Sequence, residues 1–152
     1  MRTVDDLIAS KPRPENIIKP DALVIDALHL LEQVNLSYLI VMDGDAYKGV
    51  FSEKDYSRNV VLKGRSSKEA HVQEVMTTDL PVVGPEETVE HCMILMIRSK
   101  ARYLVAIDEK KFMGIITIHD ILREVLANRE EVFDDTLAEE LIKTAEGRGR
   151  IY

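Results

Sequence analysis

The sequence predicts an α+β protein made of two copies of one β-α-β-β-α unit, packed as a pseudo-two-fold, sandwich-like pair. Three observations carry this prediction: a gap-free internal match, the same order of hydrophobic periodicities in each copy, and one short motif at the same place in both. Ile17 to Arg58 lies over Val82 to Arg123 at a constant offset of 65 residues. Identical pairs are Pro20/Pro85, Val24/Val89, Leu30/Leu95, Tyr38/Tyr103, Leu39/Leu104, Asp43/Asp108, Gly49/Gly114, Asp55/Asp120 and Arg58/Arg123. They recur at the ends of elements, where geometry is demanding.

Each copy begins with a short β-branched run, Ile17-Ile18 or Val82-Val83, closed by a turn at Pro20 or Pro85. An amphipathic helix follows. Its apolar residues fall at Leu23, Ala27, Leu30, Leu31 and Val34 in the first copy and at Val89, Met93 and Met96 in the second, the stripe of a helix packed on one face. Tyr38 to Met42 and Tyr103 to Ile107 read as buried strands, each ended by an Asp and a polar turn. Their hairpin partners are Tyr47 to Phe51 and Phe112 to Ile116, where Gly49 and Gly114 permit a bulge or a close backbone approach. A final helix starts near Glu53 and Ile118. Each copy has about 45 residues, too few to bury its own sheet face, so the two are expected to share a core. The segments are assigned as 4–62 for the first copy with an N-terminal helix, 63–128 for a linker and the second copy, and 129–152 for an acidic helical tail.

The composition suits one compact domain: 152 residues, 45% hydrophobic and 31% charged. One cysteine, Cys92, excludes an internal disulfide framework and reads as an inert buried thiol. No apolar run approaches the ~18 residues of a membrane span, and Asp5 and Asp6 stand where a signal peptide would be basic, so a cytosolic or organellar protein without a membrane partner is expected, with the cytoplasm as the leading assignment. The net charge of −7 argues against nucleic acid as a partner.

The candidate site is the junction of the third strand and last helix, Gly49-Val50-Phe51-Ser52-Glu53-Lys54-Asp55 and Gly114-Ile115-Ile116-Thr117-Ile118-His119-Asp120, each Gly-x-x-(Ser/Thr)-x-x-Asp. A hydroxyl followed three residues later by an acid is a capping box, which by itself accounts for the pattern. The same geometry also suits phosphate at the helix start and a carboxylate that accepts from both hydroxyls of a ribose. A cap does not explain Arg58 and Arg123 at the same place in both copies. Two basic clusters add positive charge: Lys54, Arg58, Lys63, Arg65 and Lys68, and Arg98, Lys100 and Arg102. Either can be an ordinary solvated face.

The duplication and its twice-repeated motif resemble tandem cystathionine-β-synthase-type (CBS) domain proteins, in particular small stand-alone ones, over roughly Val4 to Asn128. The resemblance implies two repeats packed through their sheets, pairs of modules forming a dimeric disk, and adenosine derivatives in the clefts. It assigns Asp55 and Asp120 to ribose hydroxyls. Ser52, Thr117, Arg58, Arg102, Arg123, Lys54 and Arg65 fall to ribose and phosphate, Ile17, Ile18, Val82 and Val83 to adenine, and Ile118 and His119 to the cleft rim. AMP, ATP or NAD is the expected ligand, with no catalytic cofactor.

His119 lacks a partner for catalysis, and His29, His71, His91 and Cys92 lack metal-ligand spacing. Nor is there a Walker loop or a nucleophile-base set, so no enzyme is expected. In the tail, Val125, Val132, Phe133, Leu137, Leu141 and Ile142 suit one or two amphipathic helices that either cap the dimer, dock a partner or simply solubilise the C-terminus. The leading expectation is a homodimeric module that signals nucleotide binding to a regulated protein; the alternative is a dimeric interaction scaffold with vestigial clefts.

Overall fold

The structure, a computed structural model, describes residues 2–128 and 135–146. Its elements run α1 (Val4–Ser10), β1 (Ile17–Ile18), α2 (Val24–Val34), β2 (Tyr38–Asp43), β3 (Ala46–Ser52), α3 (Glu53–Asp55, continuing as a π turn, Tyr56–Val61) and α4 (Val72–Val75). Then follow β4 (Val82–Val83), α5 (Val89–Ser99), β5 (Tyr103–Asp108), β6 (Lys111–Thr117), α6 (Ile118–Ala127) and α7 (Asp135–Glu146). The α+β class and the repeated β-α-β-β-α order are as the sequence predicts.

The described residues form two compact units, one of residues 13–79 and one that joins residues 2–12 to the described residues from 80 onward. Each holds a three-stranded sheet, ordered β1-β2-β3 in the first unit and β4-β5-β6 in the second. Within the first, β1 runs parallel to β2 with Ile17 opposite Ile40, and β2 and β3 form an antiparallel hairpin with Leu39 opposite Phe51. The second repeats this register, Val82 opposite Val105 and Leu104 opposite Ile116. Register shifts after Val41 and Ala106, the partners of Gly49 and Gly114, are the bulges the glycines anticipate. A Cβ on Gly49 would lie 2.6 Å from the Thr77 carbonyl oxygen, so only glycine lets β3 and the chain after α4 meet through the Val50–Thr77 bridge.

The two amphipathic helices end alike. Asn35 and Lys100 close α2 and α5 in the left-handed conformation at φ 54° and 53°. Leu39, Val41, Phe51 and Val24 sit at the centre of the first core, and Leu104, Ala106, Ile116 and Val89 hold the corresponding places in the second.

The compact units are cut differently from the sequence segments. Helix α1, which precedes the first copy, packs in the second unit, with Val4 and Leu7 in its core. Helix α4, which precedes the second copy, packs in the first, with Val72 and Val75 in its core. The backbone explains the exchange. Val4 and Asp5 donate N–H bonds to Glu87 and Pro85 oxygens at 2.9 and 3.0 Å, and Val72 and Gln73 donate to Ala22 and Pro20 at 2.9 Å each. Return bonds run from Val89 to Arg2 at 3.1 Å and from Val24 to Ala70 at 2.9 Å. Each unit is thus completed by a helix that buries two aliphatic side chains and satisfies the turn before the amphipathic helix.

In the tail, α7 spans Asp135–Glu146, where Leu141 is buried in the second core with Leu137 beside it. Val132 and Phe133 lie outside the described residues. No helix among the described residues is long and apolar enough to cross a membrane. Cys92 is fully buried, and burial, reinforced by the Glu87 charge, pushes its thiol up to about 12.

Candidate functional site

Both predicted junctions form capping boxes. Ser52 caps α3 by accepting from the Asp55 N–H, while Asp55 accepts from the Ser52 N–H; Thr117 and Asp120 do the same at α6. A hydroxyl at the cap and an acid three residues on is a local arrangement, which is why the sequence specifies it twice. Both carboxylates are buried, each residue only 5% exposed. A buried carboxylate needs donors, and the two find different ones.

Asp55 Oδ2 accepts from the Ser52 N–H at 2.9 Å and the Ser52 hydroxyl at 3.0 Å, and Oδ1 accepts from the Thr77 hydroxyl at 2.6 Å. All three donors are neutral. Burial pushes the Asp55 carboxyl above its ordinary 3.8, against the opposing pull of Thr77, Ser52 and the Lys54 charge. Asp120 Oδ2 accepts from the Thr117 N–H and from Lys11 Nζ, both at 2.8 Å, and Oδ1 accepts from Arg123 Nη2 at 2.5 Å. This second carboxylate therefore sits in two ion pairs.

The other predicted residues divide. Arg123 lies one helical turn beyond Asp120 and reaches it, as i,i+3 neighbours on a helix do. Arg58 holds the same place after Asp55, but the helix there widens into a π turn, with the Leu62 N–H bonded to the Ser57 oxygen at 3.1 Å, and Arg58 is exposed without an ion pair among the described residues. Arg102 lies at the base of the second site, its carbonyl accepting from the Ile118 N–H at 2.9 Å; Ser37 fills that role for Glu53 at 3.2 Å. Lys54 is exposed. Arg65 Nη1 is bound to backbone oxygens of Asn59 at 3.1 Å and Glu74 at 3.4 Å, which ties the π turn to α4.

Ile17 and Val82 are exposed on their short strands, whereas Ile18 is half-buried and Val83 buried. One expectation is corrected: Ile118, assigned to the rim with His119, is 1% exposed and packs in the core of the second unit. The first residue of α6 faces inward because the cap turns the helix onto β6; His119, one residue on, is exposed. Sequence reasoning passed over Lys11 and Thr77, which lie 109 and 22 positions from the carboxylates they serve. A usable signal for their segments was present: Thr3-Val4-Asp5-Asp6-Leu7 lies over His71-Val72-Gln73-Glu74-Val75 at an offset of 68 residues. Thr3 and His71 both begin capping boxes.

Two small α+β units with one repeated strand-hydroxyl-acid junction define a duplicated module. Its sequence matches the CBS domain family twice, over residues 4–61 and 72–127, and the chain belongs to that family. It is 32% identical over 140 residues to the mitochondrial CBS domain-containing protein CBSX3 of Arabidopsis thaliana, covering 86% of this chain and 68% of that one. A CBS-domain protein from Burkholderia ambifaria superposes with a TM-score of 0.75 at 35% identity, covering 87% of this chain and 98% of the other. CBSX2, solved in complex with AMP, superposes with a TM-score of 0.69 at 29% identity, covering 85% of this chain and 99% of the other.

Proposed function

We propose that the chain is a non-enzymatic regulatory module in which Asp55 and Asp120 each accept ribose hydroxyls of an adenine nucleotide, the Asp120 site being the stronger for phosphorylated ligands. The observation that carries this reading is the pair of buried, capped carboxylates at equivalent positions, each keeping one oxygen toward side-chain donors that can be exchanged for hydroxyls. Lys11 and Arg123 around Asp120 outnumber its single negative charge, and Arg102 stands at the base of the same cap, so an anionic ligand gains most there. AMP in CBSX2 makes AMP the first ligand to test, with ATP and NAD next. Ile17, Ile18, Val82 and Val83 remain the residues proposed to border adenine. Ser52, Thr117, Lys54 and Arg58 are proposed for ribose and phosphate.

Thermal shift against AMP, ADP, ATP, NAD, NADH and S-adenosylmethionine tests the reading. A ligand at 100 times its Kd adds about 2.7 kcal/mol of stability. The expected result is a rise with one adenylate class that Asp120→Ala cuts back to the contribution of the Asp55 site while leaving the protein folded. A flat response to all six would favour the ligand-free dimeric scaffold. The proposed homodimer draws support from exposed Val61 and Leu126 on the last helix of each repeat and exposed Leu62 just beyond Val61, and sedimentation would test it. A second copy and a separate regulated protein are the proposed partners.

A further inference from the structure

We infer that Lys11 is a positioning residue for Asp120, and that through it a nucleotide at Asp120 tightens the docking of helix α1; the inference rests on the ribose role proposed for Asp120. Lys11 is the first residue beyond α1. Its ammonium donates to Asp120 Oδ2 and to the Ile115 carbonyl oxygen, both at 2.8 Å. These two bonds tie the end of the N-terminal segment to the end of β6 and the first turn of α6.

The carboxylate has an inner and an outer oxygen. Oδ2, the inner one, already accepts from the Thr117 N–H and from Lys11, which fills its two lone-pair positions. Oδ1, the outer one, is held among the described residues by Arg123, whose side chain is 71% exposed. A ribose therefore approaches from the Oδ1 side. Arg123 gives way because its own side chain lies largely in water, where water and then phosphate can replace its partner. Lys11, 25% exposed and doubly bonded, stays. It keeps the carboxylate's rotamer fixed while the outer oxygen is handed over.

The first unit lacks this dependence. There the second position on the inner oxygen is filled by the Ser52 hydroxyl, a residue of the same cap. Only the Asp120 site borrows its inner donor from a distant segment. Binding linkage is reciprocal: whatever factor docked α1 contributes to affinity at Asp120, the nucleotide returns to the docking of α1. The N-terminal helix is then an element whose stability reports occupancy of one site and not the other.

Hydrogen exchange of the α1 amides in the full chain, with and without AMP, tests this together with AMP affinity measured in an Asp55→Asn background. AMP should slow α1 exchange about tenfold in the wild type and leave it unchanged in Lys11→Met, a coupling of ordinary size. Lys11→Met should also weaken AMP about tenfold, because Arg123 is then the one cation left on Asp120 among the described residues; Lys11→Arg should restore the affinity. AMP bound as tightly by Lys11→Met, or α1 exchange unaltered by AMP in the wild type, would overturn the inference. A ligand-free arm stands apart from the nucleotide: Asp120→Asn alone should speed α1 exchange, and an unchanged rate refutes the coupling even if Lys11→Met does not fold. A wild type that binds no AMP defeats the ribose reading, and the ligand-free arm then decides the coupling by itself.

Discussion

Asp55 and Asp120 hold the same position in two copies of one unit and are buried to the same degree, yet they are neutralised by different means. Asp55 relies on hydroxyls and an amide, so its charge is incompletely compensated and its carboxyl lies above 3.8. Asp120 has two cations, one from its own helix and one from the start of the chain. Duplication has kept what acts within three residues, the capping box, and has let what arrives from elsewhere diverge. The same contrast appears in the helices that follow: α6 brings Arg123 onto its acid, whereas the π turn after α3 carries Arg58 away.

The contrast can be broken from either side. Asp120→Asn should have the largest effect, a loss of about 2 kcal/mol in urea melts, because it leaves the part-buried Lys11 ammonium without its carboxylate. Asp55→Asn, whose carboxylate accepts from the neutral donors of Ser52 and Thr77, should cost clearly less at neutral pH. Thr77→Val should come next, at about 1 kcal/mol, by removing the hydroxyl that donates to the outer oxygen of Asp55, and NMR titration should find that carboxyl raised further.

The pH dependence of stability sharpens the comparison. Because the folded state binds the Asp55 proton more tightly than the unfolded chain, it holds the extra proton between 3.8 and the raised value. Stability from this group must therefore fall as pH rises through that window, and urea melts of Asp55→Asn should lack that decline. Arg123→Ala should be the smallest change to the fold, under about 0.5 kcal/mol, since that side chain is largely in water. It should still weaken AMP while leaving the Asp55 site untouched, a difference that calorimetry in the Asp55→Asn and Asp120→Ala backgrounds can separate.

Much of the fold was legible in the sequence because its signals are local or periodic. The offset of 65 residues, the helical stripes, the glycines beside the bulges and the hydroxyl-acid pairs are all properties of short windows. Ile118 was misassigned because the same window that identifies a helix start does not say which face of its first turn meets the core. Arg58 was paired with Arg123 on spacing, but whether an i+3 neighbour reaches its acid depends on the winding of the turn between them, which the Asn59 amide bonded to the Val75 oxygen and the Arg65 staple accompany. The first of these is a bond to α4, a segment that spacing alone does not connect to the helix.

The sequence by itself determined the duplication, the order of the elements, the placement of two acids at two helix starts and the family those features resemble. Tertiary structure alone decided that α1 completes the second unit and α4 the first, and so that Lys11 meets Asp120 while Thr77 meets Asp55. The reason is one of range: periodicity and capping are set by neighbours within a turn, whereas a buried charge is compensated by whichever donor the packed chain brings within about 3 Å.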